Sequence, residues 1–201
     1  PSWGVPACAR VLSPWSAERP EMITYAMVID TRTCIGCGDC VVACKNENGV
    51  PAGLNRDWVV EETRGEYPHL STEFRSERCN HCSHATCVTH CPTGASHYWK
   101  DTNIVLVAAE KCTGCKACIA ACPYDARLIM HPDGYIDKCT FCHHRVDQGL
   151  DPACVSSCPT HCMHFGVLND ADSLVSRLLR TRNYKALLAE TGNEPNVYYL
   201  V

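Results

Sequence analysis

The chain has 201 residues, 18 of them cysteine, and its 18 basic and 22 acidic side chains leave a formal net charge of −4. That length suits one or two small domains. The balance offers no basic field for nucleic acid and no like-charge tail, and the longest apolar run in mid-chain, Ile104 to Ala109, is far short of the roughly 20 residues a membrane helix needs. Cysteine at this density means a disulfide scaffold or a metal protein.

The first 24 residues carry Trp3, Pro6, Pro14, Trp15 and Pro20 and read as an irregular arm. They have no continuous apolar h-region and no arginine pair, so no signal peptide of its own is expected. Tyr25 to Ile29 reads as a strand leading into the first cysteines. Ser96 to Lys100 and Ile104 to Val107 flank Asp101-Thr102-Asn103 as a hairpin. Arg127 to Met130 and Tyr135 to Asp137 flank a second turn, Pro132-Asp133-Gly134. Helical turns are expected around each group's fourth cysteine. Leu174, Val175, Leu178 and Leu179 recur at helical spacing behind Asp170 and Asp172, which can cap, and the helix is expected to end before Gly192. Pro195 to Val201 looks extended. With only 3 Phe and 4 Trp, a loop-rich core of short hairpins must draw folding free energy from bound metal.

Sixteen cysteines form four groups, each closed by a C-x3-C step: Cys34, Cys37, Cys40, Cys44; Cys79, Cys82, Cys87, Cys91; Cys112, Cys115, Cys118, Cys122; and Cys139, Cys142, Cys154, Cys158. This is an internal repeat. The third group, CTGCKACIAACP, fits the bacterial-ferredoxin run C-x2-C-x2-C-x3-C-P. Three closely spaced thiolates wrap one iron–sulfur cube, and the fourth, on the next turn, points to another. Gly36, Gly38, Gly94 and Gly114 permit the close backbone approach. The first group ends in Lys45 instead of proline, the second has two extra residues before its third cysteine, and the fourth carries the loop His143 to Ala153, which costs little closure entropy. Zinc sites call for paired C-x2-C knuckles, disulfides between such near neighbours have poor geometry, and the C-x3-C-x2-C run of radical enzymes does not occur. Cys8 reads as a free thiol or partner contact, and Cys162 as a buried non-ligand. His81, His84, His90, His143 and His144 read as packing or hydrogen-bonding groups. No nucleophile–base set or phosphate loop suggests a catalytic site. Spacing alone leaves open which groups share clusters: one with two and three with four, or a nested arrangement.

The four groups in this order, with KCTFCHHRVDQGLDPACVSSCPT as the last, and the segments CPTGAS, ACPYDAR and FGVLNDADSLVSRLL, resemble the iron–sulfur electron-transfer subunit of the complex iron–sulfur molybdoenzyme (dimethyl sulfoxide reductase) family, most of all the polysulfide/thiosulfate reductase type. The similarity runs from about Tyr25 to Val201. Cys162 and His164 depart from it. It implies an α+β fold of two bacterial-ferredoxin-like modules, the second (75–130, groups two and three) inserted in the first (25–74 and 131–168, groups one and four), between an arm (1–24) and a C-terminal helix and tail (169–201). It implies four [4Fe–4S] clusters: one on Cys34, Cys37, Cys40 and Cys158; one on Cys139, Cys142, Cys154 and Cys44; one on Cys79, Cys82, Cys87 and Cys122; one on Cys112, Cys115, Cys118 and Cys91. It further implies a non-catalytic role between a molybdopterin catalytic subunit and a quinone-reactive membrane subunit, peripheral to a prokaryotic cytoplasmic membrane. Lys116 is expected to raise the potential of its cluster and Asp39 to lower that of its own. Alternative readings are the iron–sulfur beta subunit of a hydrogenase or formate dehydrogenase, many of which carry a C-terminal membrane helix not seen in this sequence, and a multi-zinc interaction module.

Overall fold

A computed structural model describes residues 22–130 and 132–201; the expected arm and Cys8 fall mostly outside them. In chain order the elements are β1 (Tyr25–Asp30), α1 (Asp39–Asn48), β2 (Asp57–Glu66), β3 (His69–Arg78), α2 (Thr86–Thr89), β4 (Ser96–Tyr98), β5 (Val105–Val107), α3 (Ala117–Ala120), β6 (Leu128–Ile129), β7 (Ile136–Asp137), α4 (His143–Val146), α5 (Ala153–Ser156), β8 (Met163–Val167), α6 (Leu174–Thr181), β9 (Tyr184–Ala186) and β10 (Val197–Leu200). The α+β expectation matches this mixture.

The organising sheet has the order β8-β1-β10-β9. Strand β1 is central, antiparallel to β8 and parallel to β10, with Met27 opposite both Phe165 and Val197. A strand buried on both faces reads as a continuous apolar run, and Ala26 to Ile29 are fully buried. The last residues are therefore an interior strand, not a loose tail. Helix α6 lays Val175, Leu178 and Leu179 against Val28 and Leu200 of this sheet.

Its cap is Ser173, whose Oγ accepts from the Ser176 N–H at 3.2 Å. The expected caps do otherwise: the Asp170 carboxylate accepts from the Asp172 N–H and closes a turn one step earlier. The helix also stops at Thr181, well before Gly192, because the chain must extend to pair β9 with β10. Both expected hairpins form, as β4–β5 and β6–β7. The longest hairpin, β2–β3, pairs ten residues with ten from Asp57↔Arg78 to Glu66↔His69, so the expected core of short hairpins is incomplete. The expected module boundary at 74/75 falls inside β3, and that at 130/131 lies between the paired β6 and β7.

Candidate metal centres

Each cysteine group places its first two thiols on loop, its third on a helix, and its fourth on that helix or just after it. Helix α1 begins after Gly38 (φ 79°) and carries Cys40 and Cys44. The tight loops use left-handed backbone at Gly36 (φ 70°), Gly38 (φ 79°), Gly94 (φ 66°) and Gly114 (φ 65°), and the expected close approach occurs at Gly36 and Gly114 but not at Gly38 or Gly94. At Gly114 an added Cβ would stand 2.8 Å from the Gly134 carbonyl oxygen, and at Gly36 one would stand 2.6 Å from the Phe74 ring. Backbone conformation and close packing both demand glycine there.

In three cavities the first three thiols of one group meet the fourth thiol of another. One cavity is lined by Cys112, Cys115 and Cys118 of the third group and Cys91 of the second; these four are the Cys112 quartet. A second is lined by Cys79, Cys82 and Cys87 with Cys122, the Cys79 quartet. A third is lined by Cys139, Cys142 and Cys154 with Cys44, the Cys139 quartet. The remaining thiols, the Cys34 quartet, are Cys34 and Cys37 on the β1–α1 loop, Cys40 on α1, and Cys158 just beyond α5. Cys40 and Cys158 belong to one buried cluster of side chains, Cys34 packs against it, and Cys37 is exposed.

Cys162 is 2% exposed, and its Sγ lies 3.4 Å from that of Cys158. Hydrogen bonding with Cys162 lowers the Cys34 thiol below its ordinary value. Cys162 is buried, as expected, and lies beside Cys158.

Among the described residues no three His, Cys, Asp or Glu side chains close on a point as a single ion requires. Four thiols around a walled cavity suit instead a cage of several irons, so the donor set fits an iron–sulfur cube and not a zinc ion. Burial pushes the free thiols of Cys82 and Cys139 up to about 12, so thiolate there needs positive charge beside it. Backbone N–H groups also reach the sulfurs, from Ser96 to Cys91 Sγ at 3.4 Å and from Ile136 to Cys112 Sγ at 3.5 Å.

The histidines pack and hydrogen-bond. His81 is fully buried, stacks on Phe141 at 3.8 Å between ring centroids, and accepts the Val105 N–H at Nδ1. His143 meets Trp99 edge-on, and His144 pairs with Glu47 at 2.8 Å. Lys116 is exposed and lines the cavity of the Cys112 quartet; Asp39 is exposed at the start of α1. Sequence reasoning missed the buried polar groups around the sulfurs. Asn48 Nδ2 donates to Cys44 Sγ at 3.7 Å and to Cys142 Sγ at 3.8 Å. Arg78 Nη1 donates to Cys154 Sγ at 2.9 Å. Ser76 Oγ lies 3.4 Å from Cys40 Sγ. Their only sequence signal is polar character beside a cysteine group, on β3 for Ser76 and Arg78 and at the end of α1 for Asn48.

Two models of a 4Fe-4S dicluster domain match the chain, over residues 33–95 and 70–168. Two diclusters correspond to four [4Fe–4S] clusters. The chain is 39% identical to a putative dimethyl sulfoxide reductase iron-sulfur subunit of Halobacterium salinarum, covering 89% of this chain and 79% of that protein. It is 43% identical to protein NrfC of Escherichia coli, over 88% and 80%. It is 33% identical to an arsenate respiratory reductase iron-sulfur subunit of Shewanella, over 87% and 94%. At these identities and coverages the chain belongs to the iron–sulfur subunits of the complex iron–sulfur molybdoenzyme family.

Proposed function

We propose that this chain is a non-catalytic electron-transfer subunit that holds four [4Fe–4S] clusters, in nested pairs, and relays electrons between a molybdopterin catalytic subunit and a quinone-reactive membrane subunit. The carrying observation is that three separate cavities are each lined by four cysteines, three from one group and one from its nested partner group. When bound, each cluster supplies a one-electron couple. The protein's part is to hold the thiolates fixed, exclude water and place hydrogen-bond donors on sulfur. The segments 25–74 with 131–168 and 75–130 then form two ferredoxin-like modules, tied together by the hairpins β2–β3 and β6–β7 that cross their boundaries. The ligand sets are the four quartets, with Cys162 outside them.

The catalytic partner is proposed from relatives named as iron–sulfur subunits of reductases. No helix among the described residues is long and apolar enough to cross a membrane, so membrane association is assigned to the quinone-reactive partner. The test is iron and acid-labile sulfide on anaerobically purified protein, followed by reductive titration. About 16 of each per chain and about four electrons taken up, one per cube, are expected. Near-zero iron with stoichiometric zinc overturns the reading.

A further inference from the structure

The two halves of the chain share an arrangement that the cysteine pattern does not call for. Arg127 is 6% exposed, lines the cavity of the Cys79 quartet, and forms no ion pair among the described residues. Its Nη1 donates to Ser96 Oγ at 2.9 Å, and its Nη2 is buried without a hydrogen-bond partner. Ser96 is 2% exposed, and its own N–H donates to Cys91 Sγ of the Cys112 quartet.

Arg78 repeats the plan. It is 1% exposed, lines the cavity of the Cys139 quartet and donates to Cys154 Sγ. Its Nη2 donates to Ser76 Oγ, and that hydroxyl contacts Cys40 Sγ of the Cys34 quartet. In both places a buried guanidinium faces one quartet and grips a buried serine whose own polar atom reaches a sulfur of the next. Arg78 has a carboxylate nearby, Asp57 at 3.8 Å. Arg127 has none among the described residues. A buried cation is costly unless an opposite charge compensates it, and around Arg127 the nearest anions on offer are the thiolates.

We propose that Arg127 and Arg78 are potential-setting residues, each holding a fixed positive charge between two clusters and raising the reduction potential of both. Arg127 acts on the Cys79 and Cys112 quartets, Arg78 on the Cys139 and Cys34 quartets. The inference rests on the four-cluster reading above. An added electron makes a cluster more negative, so a nearby guanidinium favours the reduced state. Guanidinium keeps its charge at every working pH, so the bias is permanent. The first quartet of each pair feels the charge directly, and the second feels it at longer range and through the serine. Each arginine thereby raises two neighbouring couples at once, the nearer one more.

The experiment is an anaerobic redox titration of the full cluster-loaded chain, followed by electron paramagnetic resonance, for the parent, Arg127→Gln, Arg127→Lys and Ser96→Ala, with iron and sulfide counted on every sample. In Arg127→Gln, with iron retained, the reduction equilibrium of the Cys79-quartet cluster should fall tenfold or more, about 59 mV for one electron. The Cys112-quartet cluster should fall less, and the other two should stay put. Arg127→Lys should recover most of the loss because it keeps the charge. Unchanged midpoints in a fully loaded Arg127→Gln overturn the proposal, as does an equal fall in Arg127→Lys. Should Arg127→Gln shed iron, Ser96→Ala decides: it keeps the Ser96 N–H on Cys91 and the Arg127 charge but frees the guanidinium from its anchor. A shifted Cys79- or Cys112-quartet midpoint, with Arg127→Lys parent-like, supports the proposal; both midpoints unchanged in Ser96→Ala overturn it. Failure of the four-cluster reading is seen separately, in the iron count of the parent.

Discussion

The cleanest test of the ligand sets removes two thiols at a time. Cys91 and Cys112 are 21 positions apart in sequence yet line one cavity. Cys34 and Cys91, by contrast, belong to different quartets, and would share a cluster only if groups one and two exchanged ligands. A cube that loses one thiolate often survives as a three-iron cluster, so single variants blur the answer. A cube that loses two has half its anchors and should not assemble. In the nested arrangement, Cys91→Ala with Cys112→Ala damages one cube: about 12 of 16 irons remain, with three intact [4Fe–4S] signals. Cys34→Ala with Cys91→Ala damages two cubes and leaves two intact signals. The assay is metal analysis with spin quantitation on the dithionite-reduced chain. Three intact signals in the Cys34/Cys91 variant, with two in the Cys91/Cys112 variant, would refute the nesting.

Three further outcomes follow from particular contacts. Lys116→Ala should lower the midpoint of the Cys112-quartet cluster by less than the equivalent of about 1 kcal/mol, because the ammonium is solvent-exposed and screened; a midpoint that does not move removes Lys116 from the electrostatics of that site. Tyr199 is fully buried on β10, and its hydroxyl donates to the Ser76 carbonyl at 3.2 Å. Tyr199→Phe should cost about 1 kcal/mol and Tyr199→Ala about 3–5 kcal/mol, read as the urea midpoint for bleaching of the visible absorbance; equal midpoints for the two variants would show that ring packing contributes nothing. Gly114→Ala forces a Cβ against the Gly134 carbonyl at a left-handed position, costing about 1–2 kcal/mol in backbone conformation alone. It should deplete the Cys112-quartet cluster selectively, and Gly94→Ala, where a Cβ meets nothing within 4 Å, should deplete it less.

How far the sequence reaches depends on the range of the physics involved. Cysteine spacing, the left-handed glycines and the turns at residues 101–103 and 132–134 are local, and they are legible because a few neighbouring residues decide them. The hairpin β2–β3 was not legible, because WVVEETRGE and LSTEFRSER mix charge and apolar residues without strict alternation. Its exposed half is held partly by pairs such as Arg75–Glu62 at 2.7 Å, which single-strand patterning does not reveal. Helix α6 ends before Gly192, as expected, but its exact end at Thr181 is set by the pairing of β9 with β10, which local spacing does not reveal. Nothing local sets Arg78 and Arg127 apart from other charged residues until the fold closes around them. A buried charge has no signature of its own in sequence; only its partners reveal it.

Strand β1 precedes the first cysteine group, β8 follows the last, and β10 is nearly the end of the chain, yet the three lie side by side. The central sheet therefore closes only when all four groups lie between strands already in register. The segment between is tied to that sheet by fully or nearly fully buried polar side chains. Asn103 brackets Tyr25, accepting its N–H at 2.7 Å and donating to its carbonyl at 2.8 Å. Asn196 donates to the His81 carbonyl at 2.8 Å. Lys138 donates to the carbonyls of Val105 and Cys139, joining the β4–β5 hairpin to the fourth cysteine group. Each such group, if freed, leaves a buried donor or acceptor without a partner, a penalty of about 1–3 kcal/mol that a loose interface does not carry. The segment carrying the second and third groups is thus held to the central sheet and to the fourth group by buried hydrogen bonds. A chain whose task is to pass single electrons between fixed sites gains from that rigidity, since any slack between the pairs would change the distances over which electrons must cross.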